Sequence, residues 1–402
     1  MSNFKSRFEQ EMKNKRINEM SPSARREIKY NSLMSVVKDI DDRKNRYIFY
    51  CPDIAVVNPL VKMVYDIAYN VQQAGYNAIV LHEMNPFKAK WLYDSEEYKE
   101  YRKIPVEYIL NKSGRKSKKE SNLYTFKPAD TLIVTDAFQD MLENLANEKS
   151  LTLIQKVVLI TGYMGIKSLT PGSDYTKLGV NTLIFFEENV KLDYEDMFSV
   201  RKTYIMDNYP VNPVFNSDKV ELDNIYPVIG ITSIGNNDTA QQLINIFYNK
   251  FPNLSMFTFK IISRDSLVEY IDNVTSSAAI VMLDKDVVTK QSIFEIINTG
   301  TPVFLTNRRE YYNDKALVEN FLVDGDMFDL ATRIAEFCKF WLTIPNSTVK
   351  DSVMAIADSI DLKGRTMEGF SVTVSSIFDE LQLNRRKTFQ NLKEVMDNES
   401  VV

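Results

Sequence analysis

From position 46 onward, short apolar runs alternate with segments whose apolar residues recur at helical spacing. Arg46–Cys51 is an apolar run that ends at Pro52, and it predicts a buried strand. Leu60–Gln73 has helical periodicity and stops before Gly75, a residue type that commonly ends helices, and Tyr76–His82 predicts the next strand. Together these segments form a βαβ unit, which predicts the beginning of a parallel sheet.

The same alternation continues through the first half of the chain and is then interrupted once. Trp91–Leu110 is predicted to be helical. Two prolines within Asn208–Phe215 oppose regular structure and predict an interdomain linker at 208–224. Strands that alternate with helices predict a doubly wound sheet over 46–207. The other strands predicted in this half are Thr131–Thr135, Lys156–Thr161, Thr182–Phe186 and Thr203–Met206.

A second series of strands and helices follows the linker. The predicted strands are Tyr226–Thr232, Met256–Ile262, Ala278–Leu283 and Pro302–Thr306. The helices predicted between them are Ala240–Lys250, Asp265–Asp272 and Lys290–Thr299. The predicted fold class is therefore α/β, with two Rossmann-like, doubly wound parallel-sheet domains, the second of them over 225–345.

Helical patterns precede and follow the two predicted domains. Residues 1–45 form an N-terminal extension in which Phe4, Phe8 and Met12 fall at helical spacing. Up to Arg46 the chain carries 12 Lys and Arg against 7 Asp and Glu. These helices either pack on the body of the protein or form an arm that docks on an acidic partner or a membrane surface. Residues 346–402 are predicted as C-terminal helices that partly cross back onto the first domain and offer a second surface for a protein partner.

The composition excludes several classes of site and partner. The 402 residues include one histidine, His82, and two cysteines, Cys51 and Cys338, too few for a zinc site, a Ser-His-Asp triad or a disulfide framework. The net charge of −5 argues against a nucleic-acid binder. The basic run Lys112–Lys119 is interpreted as a solvated loop, with a phosphate-rich or nucleic-acid ligand as the alternative. No apolar run approaches the roughly 20 residues that span a bilayer, and the N-terminus lacks a signal-peptide core, so we expect a cytoplasmic protein.

Two stretches of the sequence resemble bacterial and phage glycosyltransferases of the GT-B type. The first stretch has the order of strand, loop, helix and strand found in one group of these enzymes, and its matching pieces are Tyr47–Ile54, Val61–Tyr65, Ala74–Tyr76, Val80–Glu83, Asn85–Lys88 and Trp91. The second, Phe294–Val303, is similar to the segment L-E-A-M-A-C-G-T-P-V of the retaining enzymes. Leu322–Leu330 looks like the loop and helix start that follow it there. The likeness extends over about 46–345.

The resemblance implies a metal-independent, hexosyltransferase-type glycosyltransferase that needs no cofactor and takes a nucleotide-diphosphate sugar as its substrate. It implies that the second domain binds this donor and the first domain an acceptor of unknown kind, in a cleft beyond the carboxyl ends of the strands. Backbone N–H groups at helix N-termini would hold the diphosphate, and a carboxylate of the second domain would bind ribose or sugar hydroxyls. The candidate donor-binding residues are Gly235, Asn236, Glu295 and Thr301, and the candidate acceptor-side residues are Asp53, Lys62 and His82.

Most of these candidates also have a purely structural interpretation. Asp53 is placed to cap the turn before a helix, and Lys62 to be a surface residue of that helix. His82 is placed as a hydrogen-bonded histidine at a strand end. Glu295 is placed as an exposed residue of its helix, and Gly235 with Asn236 as an ordinary turn.

Three departures from the family pattern bear on activity. Val57–Leu60 stands where these enzymes have a Gly-rich loop, Val287 stands at the first of two family glutamates, and Thr232–Thr239 lacks the family's Arg and Lys. A missing diphosphate clamp removes leaving-group stabilisation. The alternative function is therefore a catalytically degenerate GT-B fold kept as a structural or binding protein, for instance in a phage particle. The cations of the second domain that could replace the clamp are Arg264, Lys285, Arg308 and Arg309.

Overall fold

Two parallel β-sheets organise the protein. The computed structural model describes residues 21–41, 44–111, 124–140, 142, 154–163, 174–199, 202–233, 237–283, 290–306 and 315–399. The first sheet consists of β1 (Arg46–Tyr50), β2 (Asn77–Asn85), β3 (Val106–Asn111), β4 (Thr131–Thr135), β5 (Gln155–Ile160), β6 (Thr182–Phe185) and β7 (Lys202–Ile205). Its order is β3-β2-β1-β4-β5-β6-β7 and every neighbouring pair is parallel. The strand order therefore reverses between β1 and β4.

The second sheet has the same construction with fewer strands. It consists of β8 (Tyr226–Thr232), β9 (Thr258–Ile261), β10 (Ser277–Met282), β11 (Val303–Thr306) and β12 (Leu322–Val323). Its order is β12-β11-β10-β8-β9, again parallel throughout, so the order reverses between β8 and β10. Two doubly wound parallel sheets confirm the predicted fold class.

Helices connect these strands and extend from both ends of the chain. In the first half they are α1 (Pro22–Asp41), α2 (Pro59–Gln73), α3 (Lys90–Tyr93) and α4 (Glu188–Met197). In the second half they are α5 (Asn237–Lys250), α6 (Leu267–Ser276), α7 (Lys290–Ile297), α8 (Lys315–Asn320) and α9 (Met327–Trp341). The C-terminal helices are α10 (Asn346–Ser359) and α11 (Met367–Glu399). Within the described residues, none of these helices has both the length and the apolar character needed to cross a bilayer.

The prediction of a helical segment over Trp91–Leu110 is wrong. Only α3 and a single 3-10 turn at Lys99–Lys103 are helical, and β3 follows as an edge strand. Pro105 explains the difference because it cannot donate a backbone hydrogen bond and ends helical structure before Val106. The residues that follow it are β-branched and aromatic types that favour a strand.

Helix α2 is the element that brings the first sheet to the second domain. Asn58 caps it, since its Oδ1 accepts the N–H groups of Leu60 at 2.9 Å and Val61 at 3.2 Å. The helix ends at Gln73, and Gly75 just beyond it has a φ of 85°, a conformation that glycine adopts without strain. Every residue from Leu60 to Ala68 is buried, so α2 lies inside the protein rather than on its surface.

The long helix α11 returns to the first domain, as predicted. It packs on α1 and α2. Gln382 Oε1 accepts the Tyr47 hydroxyl at 2.9 Å, Tyr76 donates to Asp379, and Arg385 donates to the Pro128 carbonyl at 2.7 Å. These bonds join the C-terminal end of the chain to the first sheet. The predicted arm with Phe4, Phe8 and Met12 lies outside the described residues, as does the basic run Lys112–Lys119.

The two sheets are joined through a shared apolar core and direct hydrogen bonds. One hydrophobic cluster contains buried residues of both halves, among them Leu60 and Phe294. The N–H of Val57 donates to the Arg264 carbonyl at 2.6 Å, and Asn298 Nδ2 donates to the Phe215 carbonyl at 2.6 Å. The chain passes from one sheet to the other between Ile205 and Tyr226. The domain limits at 45/46, 207/208, 224/225 and 345/346 stay predictions.

Candidate ligand site between the two domains

The carboxyl ends of the strands mark where a doubly wound sheet binds ligands. In the second sheet these ends lead into segments 234–236, 284–289 and 307–314, which lie outside the described residues. Five sequence candidates fall there: Gly235, Asn236, Lys285, Arg308 and Arg309. Among the described residues, the second domain therefore faces the first mainly through α7 and the loop after β9.

A narrow cleft opens between the two domains. Helix α2 forms one wall and α7 forms the other. The cleft is lined by Pro59, Leu60, Met63, Thr161, Phe186, Glu187, Asp207, Tyr209, Lys290, Gln291, Phe294 and Arg365. Apolar and aromatic walls with a few charged groups are the usual composition of such a site.

A second, deeper cavity lies beside the N-terminus of α2. Pro59 lines both cavities, so they are neighbours between the two domains. The deeper part is lined by Val57, Asn58, Pro59, Lys62, Trp91, Tyr98, Asn212, Phe215, Arg264, Leu267, Tyr270, Ser292 and Glu295. Charged groups of both domains thus meet where water has little access.

Glu295 lies in this deeper cavity and is only 7% exposed. The interpretation as an exposed helix residue is therefore wrong. Burial raises the pKa of Glu295 to about 7, against the opposing effect of the Lys62 and Arg264 charges. A carboxyl group with a pKa near neutrality, inside a cleft, is a recurrent property of functional sites.

Lys62 is also buried, at 4% exposure, and is not a surface residue. Its Nζ lies 2.6 Å from Asp66 Oδ2, one turn along α2. The hydroxyl groups of Tyr101 and Tyr209 both donate to Asp66, which is fully buried. Asp66 thus holds the Lys62 ammonium group in the interior of the protein. A Lys and an Asp spaced i, i+4 on an otherwise apolar helix were the signal in the sequence for this pair.

Arg264 is the described member of the four cations that could replace the diphosphate clamp. It follows β9, lines the deeper cavity and is 7% exposed. Its guanidinium carbon lies 5.3 Å from the centre of the Tyr270 ring, a cation–π distance that fixes the plane of the group. The side chain is therefore held inside the cleft rather than in solvent.

Two further cations at the mouth of the cleft were not identified from the sequence. Lys290 Nζ lies 3.0 Å from Glu187 Oε2 of the first domain. Arg365 donates to the Asp207 carbonyl at 2.8 Å, and its guanidinium lies 4.9 Å from the centre of the Phe294 ring. Arg365 belongs to the segment between α10 and α11, which no local pattern connects with the cleft.

Asp53 and His82 are brought together, but they do not line the two cavities described above. The Asp53 carboxylate accepts the N–H groups of Glu83 and Met84, each at 3.0 Å, and its Oδ1 lies 3.3 Å from His82 Nδ1. His82 is fully buried, with Nε2 2.8 Å from the Tyr65 hydroxyl. Burial lowers the pKa of His82, which favours the neutral ring. The arrangement ties the ends of β1 and β2 together, which agrees with the structural interpretation of His82, whereas Asn58 and not Asp53 caps the helix that follows.

Thr301 is not brought to the cleft either. It precedes β11, at the amino end of that strand, opposite the edge where ligands bind. Its hydroxyl accepts from Thr299 at 2.8 Å and donates to the Val274 carbonyl at 3.3 Å. Both bonds stay within the second domain.

In the described part of the chain, no group of His, Cys, Asp and Glu side chains could hold a metal ion.

No protein-family model and no curated protein sequence matches the chain. Among solved structures, sucrose-phosphate synthase from Thermosynechococcus elongatus is similar with a TM-score of 0.48 and 10% identity, over 84% of this chain and 99% of that one. The HepE protein of Anabaena, solved in complex with UDP, has a TM-score of 0.48 and 12% identity, over 83% and 100%. A glycosyltransferase from Rickettsia africae has a TM-score of 0.43 and 13% identity, over 88% and 98%. Glycosyltransferases are thus among the solved structures that this chain resembles in fold.

Proposed function

We propose that the protein binds a nucleotide-diphosphate sugar in the interdomain cleft and transfers the sugar to an acceptor, as a hexosyltransferase-type glycosyltransferase. The observation that carries the proposal is that Glu295, Lys62 and Arg264 are all buried and line the same cavity. A diphosphate needs cations in a site of low polarity, and sugar hydroxyls need a carboxylate.

The groups for both tasks come from the second half of the chain. Arg264, held over Tyr270, and Lys290 with Arg365 at the mouth of the cleft are the cations that would exchange their present contacts for the diphosphate. Glu295 is the acceptor available to sugar or ribose hydroxyls. In a retaining reaction the leaving phosphate itself takes the acceptor's proton, so no protein nucleophile is required. The acceptor would enter from the side of α2 and Lys62.

The second candidate function is a binding or structural protein with the same fold and no transfer activity. The specific observation in its favour is that the domains are bonded directly to each other around the cleft. Val57 donates to the Arg264 carbonyl, and Lys290 is paired with Glu187 across the opening. A ligand as large as a nucleotide sugar would have to replace some of these contacts.

Arg264→Ala tests the binding step. We expect uridine or guanosine diphosphate to bind the wild-type protein, and the substitution to weaken that binding by about 2 kcal/mol, roughly thirtyfold in the dissociation constant, because a charge-assisted bond to phosphate is lost. Isothermal titration calorimetry with each nucleotide measures both values. Arg333→Ala is the matched control, since Arg333 is half-exposed on α9 and pairs with Glu336.

Three outcomes separate the candidates. Binding that Arg264→Ala weakens and Arg333→Ala leaves intact, together with sugar release from a nucleotide sugar, supports the enzyme. The same binding without any sugar release supports the degenerate protein. If no nucleotide diphosphate binds at any concentration, the enzyme is contradicted and the structural protein is favoured.

A further inference from the structure

Trp91 of the first domain reaches the interdomain space from the short helix α3. It is 5% exposed, and its ring meets that of Tyr98 edge to face, with ring centres 6.2 Å apart. Tyr98 in turn stacks on Tyr101 with centres 5.5 Å apart, and Tyr101 donates to Asp66. Trp91 therefore has a fixed orientation at the wall of the deeper cavity.

The indole N–H of Trp91 has no acceptor among the described residues. Its Nε1 is fully buried and makes no hydrogen bond there. Buried tryptophan nitrogens normally find a partner, because an unsatisfied buried donor destabilises the fold. An unsatisfied donor at a cavity wall is therefore a group available to a ligand.

Glu295 lines the same cavity from the second domain. Its carboxyl group makes no ion pair within 4.0 Å in the described part of the chain, although Lys62 and Arg264 line the cavity with it. Gln291 hydrogen-bonds to the carboxyl group, whose remaining lone pairs can accept a further hydrogen bond in the cavity that Trp91 also lines. The two groups come from different domains, so a molecule bound to both would contact both walls of the cleft.

We propose that Trp91 and Glu295 together bind a hydroxyl group of the ligand, so that Trp91 determines specificity for a polyhydroxylated ring. A hydroxyl group is the small group that donates and accepts at once, and it satisfies the indole N–H and the carboxyl oxygen together. This inference rests on the proposed function, because it names the part of a nucleotide sugar that the deeper cavity recognises. A ligand without that hydroxyl would leave the buried indole N–H unpaired, and sites built to hydrogen-bond a hydroxyl group discriminate strongly against analogues that lack it.

Trp91→Phe removes the N–H and keeps an aromatic ring at this wall. We expect it to reduce the affinity for UDP-glucose, UDP-N-acetylglucosamine or GDP-mannose by about tenfold, whichever binds best, and to leave the affinity for bare UDP or GDP unchanged. Trp341→Phe is the matched control, because the second tryptophan packs on Phe257, among residues of the second-domain core. It should change neither affinity. Equal losses in the two variants would overturn the inference.

The Trp341→Phe variant also provides a measurement in which Trp91 is intact. Trp91 is then the sole tryptophan, and its emission should shift when a sugar nucleotide binds but not when UDP or GDP binds. Binding of both ligands with unchanged emission overturns the inference and leaves nucleotide binding standing. If no nucleotide binds, the proposed function fails, and millimolar methyl glucoside and methyl mannoside then decide the role of Trp91. An emission shift with either sugar supports that role, and no shift with both overturns it.

Discussion

Glu295→Gln should raise the free energy of unfolding by about 3 kcal/mol at pH 8 and leave it unchanged at pH 4. Burial raises the pKa of Glu295 from 4.5 to about 7 in the folded protein. Between these values the unfolded chain has released its proton while the folded protein still holds it, so stability falls as the pH rises through this window. Each pKa unit between the unfolded and the folded value lowers the stability above pH 7 by about 1.4 kcal/mol. Glutamine is uncharged like the protonated acid, so the variant does not lose this stability as the pH rises.

Urea unfolding at pH 4, 6 and 8 measures this effect, with Glu336→Gln as the control. Glu336 is exposed on α9, and its substitution should give the same small change at each pH. A flat difference between Glu295→Gln and the wild type over the whole range would contradict the burial of the carboxyl group. If the same variant also loses ligand affinity, the protein retains a destabilising carboxylate at this position for function.

Asp66→Asn should destabilise the protein by about 3–5 kcal/mol. Lys62 is buried against Asp66 with its Nζ 2.6 Å away, and neutralising the carboxylate leaves a buried ammonium without its counter-charge. The double variant Lys62→Met/Asp66→Asn should recover most of this loss, since no buried charge remains and the asparagine oxygen still accepts from Tyr101 or Tyr209. The midpoints of urea unfolding for the wild type, both single variants and the double variant complete the cycle.

Additive losses in that cycle would show that Lys62 and Asp66 do not interact, contrary to the structure. The same variants address the cleft, because Lys62 lines the deeper cavity opposite Glu295. In Lys62→Met the pKa of Glu295 should rise further, since Lys62 is the largest favourable charge acting on it. The stability difference between pH 4 and pH 8 should then become larger than in the wild type.

Most of the fold could be predicted from local patterns. The strand at Arg46–Cys51, the helix at Leu60–Gln73 and the paired series on both sides of the linker follow from apolar periodicity and from turn residues, which depend on neighbours in sequence. Trp91–Leu110 was the exception, because its aromatic residues suit either a helix or a strand and only Pro105 separates the two. Helix limits otherwise differ by a few residues, as between Asp265–Asp272 and α6.

The candidate site was predicted only in part. Glu295 could be named because Phe294–Val303 resembles the family segment that carries a glutamate, and Arg264 could be named as one of four cations of the second domain. Lys62 was named with them, yet its partner Asp66 was not. The sequence does not show that Tyr101 and Tyr209 converge on Asp66, since the residues lie far apart along the chain.

The sequence by itself determined which segments are strands and helices and that these form two parallel α/β units. It also determined that the chain has too few histidines and cysteines for a zinc site or a Ser-His-Asp triad. Only the tertiary structure decided which polar residues are buried. Glu295 and His82 each lie on an ordinary element, but one is buried facing a cleft and the other inside the first domain. The reason is physical: periodicity reports contacts one or two turns away, whereas burial depends on which distant element packs on a face, here α7 on α2 and α11 on the first domain.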